Sequence, residues 1–325
     1  MTPADYDAAI SGAALFDDSA MGKLILRGPD APMFLGNLGT NDIAPLPLGG
    51  GCATYFCDAR AKALFRAAVY HVRLDDAPHA LWLESSPGRD LALLQHLDRY
   101  LISEAVELEN ATDRFAQFHL AGPTAQAILE SALADGLPEL GQFQHVERTF
   151  GQVSTASVRR RDRLGVTGYD IVCLQDRGDG IRRMLLAAGA VAGTAETRDI
   201  LRIEAGVAEY GKDFDESRFV MEILGAKEAV SYSKGCYLGQ EPIVMSRDRA
   251  GHAPRSMVQL RGDGEFASGS KLFAGADEIG TVHSTALSPR FGPIALGTVK
   301  WKYREPGTAL EVMSPSGRFP VVVQL

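Results

Sequence analysis

The chain has 325 residues, of which 33 are basic and 41 acidic, giving a net charge of −8 at pH 7. Apolar residues make up 46% of the sequence and charged residues 23%. This composition excludes a disordered chain, which would lack the apolar surface that offsets the entropy lost on folding. The length indicates two or three domains. The negative balance argues against a protein that wraps nucleic acid broadly, so we expect no stable nucleic-acid binding.

Membrane segments, disulfides and metal sites are not indicated either. The first twenty residues have no basic region ahead of an apolar stretch, unlike a signal peptide. The longest uncharged, mostly apolar run, residues 184–195, is shorter than the roughly 20 residues of a membrane helix. The four cysteines include no C-x-x-C pair, and the histidines show no ligand spacing. We therefore expect a cytoplasmic protein with reduced thiols, no membrane association and no metal.

Two segments of the N-terminal part share one pattern. Residues 22–28 alternate like a strand, and a Gly-Pro turn at Gly28 leads into a helical stretch. Residues 118–122 repeat this order, with Gly122 in the same place. The repetition predicts two related α+β halves, the second starting near residue 112. Gly-Pro turns are common, however, and two of them are also compatible with no duplication.

Two later regions complete the predicted elements. Spacings of three and four after Ser86-Pro87 predict a helix with four inward leucines, Leu91, Leu94, Leu97 and Leu101. Beyond residue 250, glycine, serine and proline separate six short runs typical of strands, 256–260, 271–273, 279–282, 294–300, 309–313 and 319–325. This succession predicts a small β-barrel or sandwich. We place the domains at 1–248 and 249–325.

The sharpest feature is the octapeptide K-G-C-Y-L-G-Q-E at residues 234–241. Its two glycines allow positive φ or close backbone approach around the Cys236 thiol. Lys234 lies two residues before that thiol, and a neighbouring ammonium lowers a thiol pKa and enriches the reactive thiolate. Pro242 is expected to stop any helix immediately afterwards. The alternative, favoured on the chemistry alone, is an inert buried cysteine in a glycine-rich turn.

The octapeptide resembles the K-G-C-Y-x-G-Q-E signature of the YgfZ folate-binding family, which lies within the superfamily of glycine-cleavage T-proteins (aminomethyltransferases). Residues 201–206, L-R-I-E-A-G, resemble the L-R-x-E-x-G segment of that superfamily. Residues 168–171, G-Y-D-I, resemble its G-Y-E-I segment, with Asp for Glu. The Gly-Pro turns and the β-rich tail extend the resemblance over nearly the whole chain. It implies a GcvT/YgfZ-like α+β fold, with two related α+β subdomains in a ring-shaped folate-binding region and a small C-terminal β-barrel.

The resemblance also implies a cofactor, tetrahydrofolate or a derivative, and residues that bind it. Asp170 corresponds to the acid that accepts hydrogen bonds from the donor edge of the pterin, although Asp is one methylene shorter than Glu. Arg202 corresponds to an arginine near the ligand. Without the resemblance, we would interpret Asp170 as a strand-end residue in a turn. Arg202 would be interpreted as an ion-pair partner of Glu204. Cys236 with Lys234 is the candidate catalytic pair, and further cofactor-binding candidates are Tyr169, Tyr237, Gln240 and Glu241.

Phe65 stands where the T-protein reaction needs an acid. An ungapped alignment with the strand that carries two aspartates in T-proteins puts Phe65 and Arg66 at their positions. A phenyl ring neither accepts a proton nor orients an amine. The chain is therefore expected to lack the aminomethyl-transfer acid.

Seven arginines form a candidate positive rim for the polyglutamate tail of folate or for RNA. The alternative is a solvated surface with ion pairs to Asp162 and Asp248. The arginines are Arg159, Arg160, Arg161, Arg163, Arg247, Arg249 and Arg255.

Three functions follow from these observations. The leading hypothesis is a YgfZ-like folate-binding accessory protein that assembles or repairs iron–sulfur clusters in client enzymes, including tRNA-modifying ones, with Cys236 as the active thiol. Its partners would be folate and iron–sulfur client or assembly proteins. The alternative is a folate-dependent one-carbon transferase of the T-protein type, which moves an aminomethyl or methyl group. A third is a folate-binding regulatory or scaffold module in which Cys236 is dispensable.

Overall fold

The computed structural model describes residues 2–74, 77–151, 154–249, 251–264, 266–314 and 317–324. Two compact units are present, one formed by Met1–Phe56 and Phe65–Arg198 and the other by Cys57–Leu64 and Asp199–Leu325. Within the described residues no helix combines the length and the apolar character needed to cross a bilayer. The domain limits predicted from the sequence, 1–248 and 249–325, stay predictions.

The helices and strands alternate in the first unit, whereas strands dominate the second. The helices are α1 (Ala4–Ser11), α2 (Ala31–Leu38), α3 (Asp90–Asp98), α4 (Ala125–Ala132), α5 (Gln175–Ala187), α6 (Ala195–Glu204) and α7 (Gln240–Asp248). The strands are β1 (Ala14–Asp17), β2 (Gly22–Arg27), β3 (Gly51–Cys57), β4 (Ala63–Leu74), β5 (Ala77–Ser85), β6 (Glu107–Asn110), β7 (Phe115–Ala121), β8 (His145–Phe150), β9 (Ser154–Arg160), β10 (Gly168–Leu174), β11 (Val191–Ala192), β12 (Arg255–Gly262), β13 (Lys271–Ala274), β14 (Asp277–Ser288), β15 (Gly292–Lys300), β16 (Ala309–Ser314) and β17 (Gly317–Val323).

The first unit contains two sheets, and each carries one of the two Gly-Pro turns. The five-stranded sheet has the order β3-β4-β5-β2-β6, and the six-stranded sheet has the order β11-β1-β7-β10-β9-β8. Gly28 joins β2 to α2 with φ +115°, and Gly122 joins β7 to α4 with φ +142°. A Cβ on either glycine would run into a backbone carbonyl oxygen, that of Ala105 or Gly12. The strand–turn–helix pattern predicted at both places is therefore present. Glycine is required at both turns because φ is positive and because there is no room for a Cβ.

The six-stranded sheet has one apolar face and one polar face. Leu120 and Ile171 point to the apolar side, where they pack in one core with Leu129 of α4 and Leu185 of α5. Because successive side chains of a strand alternate between faces, His119 and Asp170 point the other way. On that side Val172 packs with Trp82 and other residues of the five-stranded sheet. Polar groups carried by this face are therefore enclosed within the first unit.

The prediction of an inward leucine series after Pro87 is confirmed at Leu97 and wrong at Leu91. Helix α3 begins at Asp90, after a turn in which Gly88 has φ +69°. Its buried residues are Leu93, His96 and Leu97, while Leu91 is 61% exposed. Starting the helix at the proline placed Leu91 on the apolar face and left out Leu93.

The C-terminal part of the second unit is a closed barrel of six strands in the order β12-β15-β14-β13-β16-β17. Five of the six runs predicted from the sequence lie within these strands, and the sixth, 319–325, overlaps β17 up to Val323, with residue 325 outside the described residues. Buried apolar side chains such as Leu260, Leu272, Val299 and Val312 fill the interior. Strand β14 is longer than its predicted run because it continues past a bulge between Val282 and Thr285. Because the barrel is closed, both edges of each of its strands are paired. An open sheet would leave its outer edges unpaired.

Candidate functional site

Asp170 lies at the centre of a row of side chains that crosses the polar face of the six-stranded sheet. Phe16 of β1 pairs with His119 of β7, His119 with Asp170 of β10, Asp170 with Arg159 of β9, and Arg159 with His145 of β8. Residues in register on adjacent strands point to the same side, so five strands contribute to one surface. Asp170 is fully buried there.

The Asp170 carboxylate is held ionised by its neighbours. Oδ1 accepts hydrogen bonds from His119 Nδ1 at 2.7 Å and from Arg163 Nη2 at 2.7 Å. Burial alone would raise the pKa of Asp170, but the charge of Arg163 and the hydrogen bond from His119 hold it far below its ordinary value. Burial and the charge of Arg163 lower the pKa of His119, which favours its neutral form. A neutral imidazole that donates from Nδ1 presents a lone pair at Nε2.

Several buried polar atoms of this face have no hydrogen-bond partner among the described residues. They are Asp170 Oδ2, His119 Nε2, His145 Nδ1 and both amide atoms of Gln117. Buried polar atoms are nearly always paired, so such a group of acceptors and donors indicates a place for water or a ligand. A carboxylate oxygen with free lone pairs suits the N–H and amine donors of a pterin edge. Asp170 Oδ2 therefore has the acceptor chemistry that the folate implied by the resemblance would need.

The arginines before Asp170 are mostly internal, which corrects the prediction of a positive rim. Arg159 is 1% exposed and bonds Glu84 at 2.5 Å. Arg161 bonds the Tyr70 hydroxyl, and Arg163 bridges Asp170 and Asp18. Neutralisation by buried acids makes these side chains poor binders of RNA or a polyglutamate tail.

Two other arginines of the predicted rim follow the alternative interpretation. Arg160 forms a two-pronged ion pair with Asp162. Arg247 pairs in the same way with the adjacent Asp248 and lies over the ring of Tyr232. Both are ion pairs of the kind expected for a solvated surface.

Tyr169, the residue before Asp170, is not brought to the same side of the sheet. Its ring lies in the apolar core against α4 and α5. Its hydroxyl accepts from Arg160 at 3.1 Å and lies 3.3 Å from Gln126 Oε1. These groups line an open cleft of about 530 Å³, together with residues 139–142 and Asp162. A shared folate contact for Tyr169 and Asp170 has no support from this geometry.

Arg202 belongs to the second unit, in a separate ion-pair network. Its guanidinium contacts Asp199 at 2.5 Å, Asp213 at 2.7 Å and Glu209 at 3.1 Å, and it also bonds the Ser284 hydroxyl. These acids raise its pKa although burial opposes them. Glu204, the expected ion-pair partner, accepts instead from Ser288. A folate contact by Arg202 stays a prediction.

The octapeptide forms a loop with an exposed thiol and a buried tyrosine. Cys236 is exposed, so the interpretation as a buried structural cysteine is wrong. The Lys234 ammonium lies 4.9 Å from the ring centre of Tyr237, where it makes a cation–π contact. Tyr237 is buried, and its hydroxyl has no hydrogen-bond partner among the described residues. Burial raises the pKa of that hydroxyl.

Gly239 fixes the end of this loop. It has φ +81°, and a Cβ there would lie 2.5 Å from the Asp58 carbonyl oxygen and 2.6 Å from Cys57 Sγ. The Cys57 thiol lies 3.1 Å from the Leu238 carbonyl oxygen, to which it donates. Burial, reinforced by Asp58, raises the pKa of Cys57 to about 12, so this second thiol is inert near neutral pH.

Helix α7 starts inside the octapeptide, contrary to the expectation that Pro242 ends a helix. Proline is tolerated in a first turn because its missing N–H has no intrahelical partner there. Gln240 and Glu241, both predicted to bind cofactor, line an open cleft of about 490 Å³ on this helix with Val244, Met245, Asp248 and Arg249. Their role as folate ligands stays a prediction.

Phe65 is buried, and its ring packs against a guanidinium and an imidazole. The Arg89 guanidinium lies 4.8 Å from the ring centre, and the His96 ring lies 5.4 Å away. The position assigned to the transfer acid is therefore occupied by an aromatic packing contact.

The polar side chains around Asp170 include His119, Gln117, Asp18 and Arg163, and together with Asp170 they form the Asp170 cluster. The sequence did not identify three of them, His119, Gln117 and Asp18. One signal was available: in β7, Gln117 and His119 alternate with Ala116, Phe118 and Leu120. Such alternation in a buried strand marks one polar face, which is where the unpaired atoms lie.

Comparison with known proteins gives the family. Residues 2–234 match the model described as the GCVT N-terminal domain, and residues 255–325 match the glycine cleavage T-protein C-terminal barrel domain. The chain belongs to the glycine cleavage T-protein family. An aminomethyltransferase of Rubrobacter xylanophilus is 30% identical over 290 residues, covering 89% of this chain and 76% of that protein. A probable aminomethyltransferase of Natronomonas pharaonis is 30% identical over 326 residues, covering 98% and 88%.

The crystal structure of glycine cleavage system aminomethyltransferase T from Bartonella henselae has the same fold as this chain. It matches with a TM-score of 0.85 at 24% identity and covers 99% of this chain and 87% of that one. The predicted fold class, GcvT-like α+β with a C-terminal β-barrel, is confirmed.

Proposed function

We propose that this T-protein family member binds tetrahydrofolate through Asp170. Aminomethyltransferases of the family use tetrahydrofolate as substrate or cofactor. The observation that carries the proposal is the state of the Asp170 carboxylate: ionised, fully buried, with Oδ1 occupied by His119 and Arg163 and Oδ2 without a partner. A fixed, unpaired carboxylate oxygen in a buried site is a specific acceptor for the donor edge of a pterin.

The activity best supported by the comparisons is folate-dependent one-carbon transfer. The named relatives are aminomethyltransferases, and the match to one of them extends over 98% of this chain. In such a reaction tetrahydrofolate supplies the nitrogen that receives the one-carbon unit, while Asp170 would orient the ring. The chain has Phe65 where the alignment expects an aspartate, so proton handling at that nitrogen would fall to another group.

A second candidate is favoured by two specific observations, the exposed Cys236 and the buried Phe65. This is the YgfZ-like function, a folate-binding accessory protein that assembles or repairs iron–sulfur clusters in client enzymes, including tRNA-modifying ones. Its octapeptide matches the YgfZ signature at every specified position. An accessory protein needs no transfer acid, and an exposed thiol in a loop held by Gly239 is accessible to a client.

Folate binding is tested by anaerobic calorimetric titration with tetrahydrofolate. We expect saturable binding by the parent and at least about tenfold weaker binding by Asp170→Asn, because a hydrogen bond to a charged group contributes about 1.5–3 kcal/mol. Asp176→Asn is the matched control, since Asp176 is exposed at the start of α5. Equal affinity of the parent and Asp170→Asn would refute the site.

The two activities are separated by different readouts on the same variants. Transfer predicts tetrahydrofolate-dependent turnover of an aminomethyl donor by the purified protein, unaffected by Cys236→Ala. The accessory function predicts no turnover and a loss of tRNA-modifying iron–sulfur enzyme activity in cells that contain only Cys236→Ala, with folate affinity unchanged. Cys52→Ala is the control for a cysteine outside the octapeptide. Full rescue by Cys236→Ala would eliminate the thiol role.

A further inference from the structure

Two histidines face each other across the hairpin formed by β4 and β5. His71 Nε2 lies 3.2 Å from His79 Nδ1, and the two ring centres are 5.3 Å apart. His79 is exposed and His71 is half-buried, so solvent reaches the pair. His79 follows His71 by eight positions, and the antiparallel pairing of β4 and β5 brings the two rings into contact.

The other ring nitrogen of His71 is fixed by the backbone. His71 Nδ1 lies 2.7 Å from the Leu46 carbonyl oxygen. A carbonyl oxygen only accepts hydrogen bonds, so Nδ1 carries the proton and Nε2 presents its lone pair toward His79. Metal-binding histidines have the same arrangement, in which the non-coordinating N–H is donated to a carbonyl or carboxylate and fixes the orientation of the ring.

The distance between the two facing nitrogens also fits a shared metal ion. Two imidazole nitrogens at about 2.0–2.1 Å from a tetrahedral zinc ion lie about 3.3 Å apart. The observed 3.2 Å is close to this value. Metal binding would replace the hydrogen bond between the rings, because the Nδ1 lone pair of the exposed His79 would have to turn toward the ion.

We propose that His71 and His79 form a two-histidine site for a divalent transition-metal ion. Imidazole suits Zn²⁺, Ni²⁺ and Cu²⁺, and Cu²⁺ is expected to bind most tightly. Among the described residues no group of three or more histidine, cysteine or acidic side chains is placed to hold a metal. Water would therefore fill the remaining coordination positions, leaving them open to exchange. The site is independent of the proposed folate function.

The test is calorimetric titration with Ni²⁺ in a Cys236→Ser background, because the exposed thiol of Cys236 also binds such ions. We expect one equivalent of Ni²⁺, and at least tenfold weaker affinity when either His71→Gln or His79→Gln is added. His252→Gln is the matched control, since His252 is exposed and its Nδ1 also lies against a backbone carbonyl, that of Ala253, at 2.8 Å. That variant is expected to keep its affinity within twofold.

Two further readouts guard against loss of folding. His79→Gln removes only an exposed side chain, so its melting temperature without metal should equal that of the parent. Saturating Ni²⁺ should raise the melting temperature of the parent by mass action and leave that of His79→Gln unchanged. With Cu²⁺, the electron paramagnetic resonance spectrum of the parent should show two nitrogen ligands. Equal Ni²⁺ affinity of the parent and His79→Gln, or no binding by the parent, would overturn the proposal and leave an N–H···N hydrogen bond.

Discussion

Replacing Gly239 by Ala should be among the most destabilising single changes in the octapeptide, residues 234–241. The left-handed backbone conformation at φ +81° costs a residue with a Cβ about 1–2 kcal/mol. The new methyl group would also lie within 2.6 Å of Cys57 Sγ and 2.5 Å of the Asp58 carbonyl oxygen. Overpacking of this kind costs about 1–3 kcal/mol. The free energy of unfolding should therefore fall by about 2–5 kcal/mol.

Gly235 provides the matched control within the same octapeptide. A Cβ there meets no heavy atom within 4 Å, and its φ lies outside the left-handed range. Gly235→Ala should change the free energy of unfolding by less than about 1 kcal/mol, because alanine fits this conformation and only the unfolded chain loses freedom. Of the two glycines expected to allow positive φ or close backbone approach, only Gly239 therefore shows either.

Urea unfolding of the two variants and the parent measures the difference, with midpoints compared at a common slope. A Cys57→Ala/Gly239→Ala double variant should recover only part of the loss, because the Asp58 carbonyl and the backbone conformation remain. Equal stability of Gly239→Ala and Gly235→Ala would refute the packing argument. Full recovery in the double variant would show that Sγ alone causes the strain.

Three other predictions follow from buried charges and thiols. Arg159→Met should lower the free energy of unfolding in urea by about 3–5 kcal/mol, because it removes the closest ion-pair partner that the described residues give to the buried Glu84 and leaves Arg161 at 3.7 Å. A change below about 1 kcal/mol would contradict this. The folded-state pKa of Asp170 is depressed, so its contribution to stability is present above the unfolded pKa of about 3.9 and lost as pH falls below it. Asp170→Asn should therefore melt lower at pH 7 and lose less stability on acidification to pH 3; parallel melting curves for the two proteins would contradict this. Iodoacetamide at pH 8 should label Cys236 in the native protein and spare Cys57 and Cys173, because burial raises the pKa values of these two thiols to about 12 and 11. Peptide mass spectrometry measures which cysteines are labelled.

The fold was predictable where its signals are local. A Gly-Pro turn at Gly28 or Gly122 is specified by neighbouring residues and by a conformation that only glycine adopts easily. The barrel strands are bounded by glycines and prolines that punctuate each run. Helix α3 was misplaced because leucines at 91, 93, 94 and 97 are compatible with two apolar faces, and only packing against the sheet selects one.

The same distinction between local signals and long-range packing applies to the candidate site. The octapeptide is contiguous, so the sequence showed it whole, although the burial of Tyr237 and the exposure of Cys236 depend on the fold. The Asp170 cluster combines residues from separate strands, and the sequence identified Asp170 alone through a resemblance. Arg159 looked like a surface residue because its partner Glu84 is 75 positions away. Burial and pairing of charges are long-range properties that spacing does not encode.

The unpaired atoms around Asp170 connect stability to ligand binding. Each buried polar atom without a partner costs the folded state about 1–3 kcal/mol unless water or a ligand satisfies it. Asp170 Oδ2, His119 Nε2 and the Gln117 amide share one sheet face, so a ligand that bonds several of them binds the folded state alone. Tetrahydrofolate should therefore raise the melting temperature of the parent with increasing concentration, and Asp170→Asn should respond much less. An equal rise in both proteins would place the ligand elsewhere, and no rise in either would mean that water satisfies these atoms.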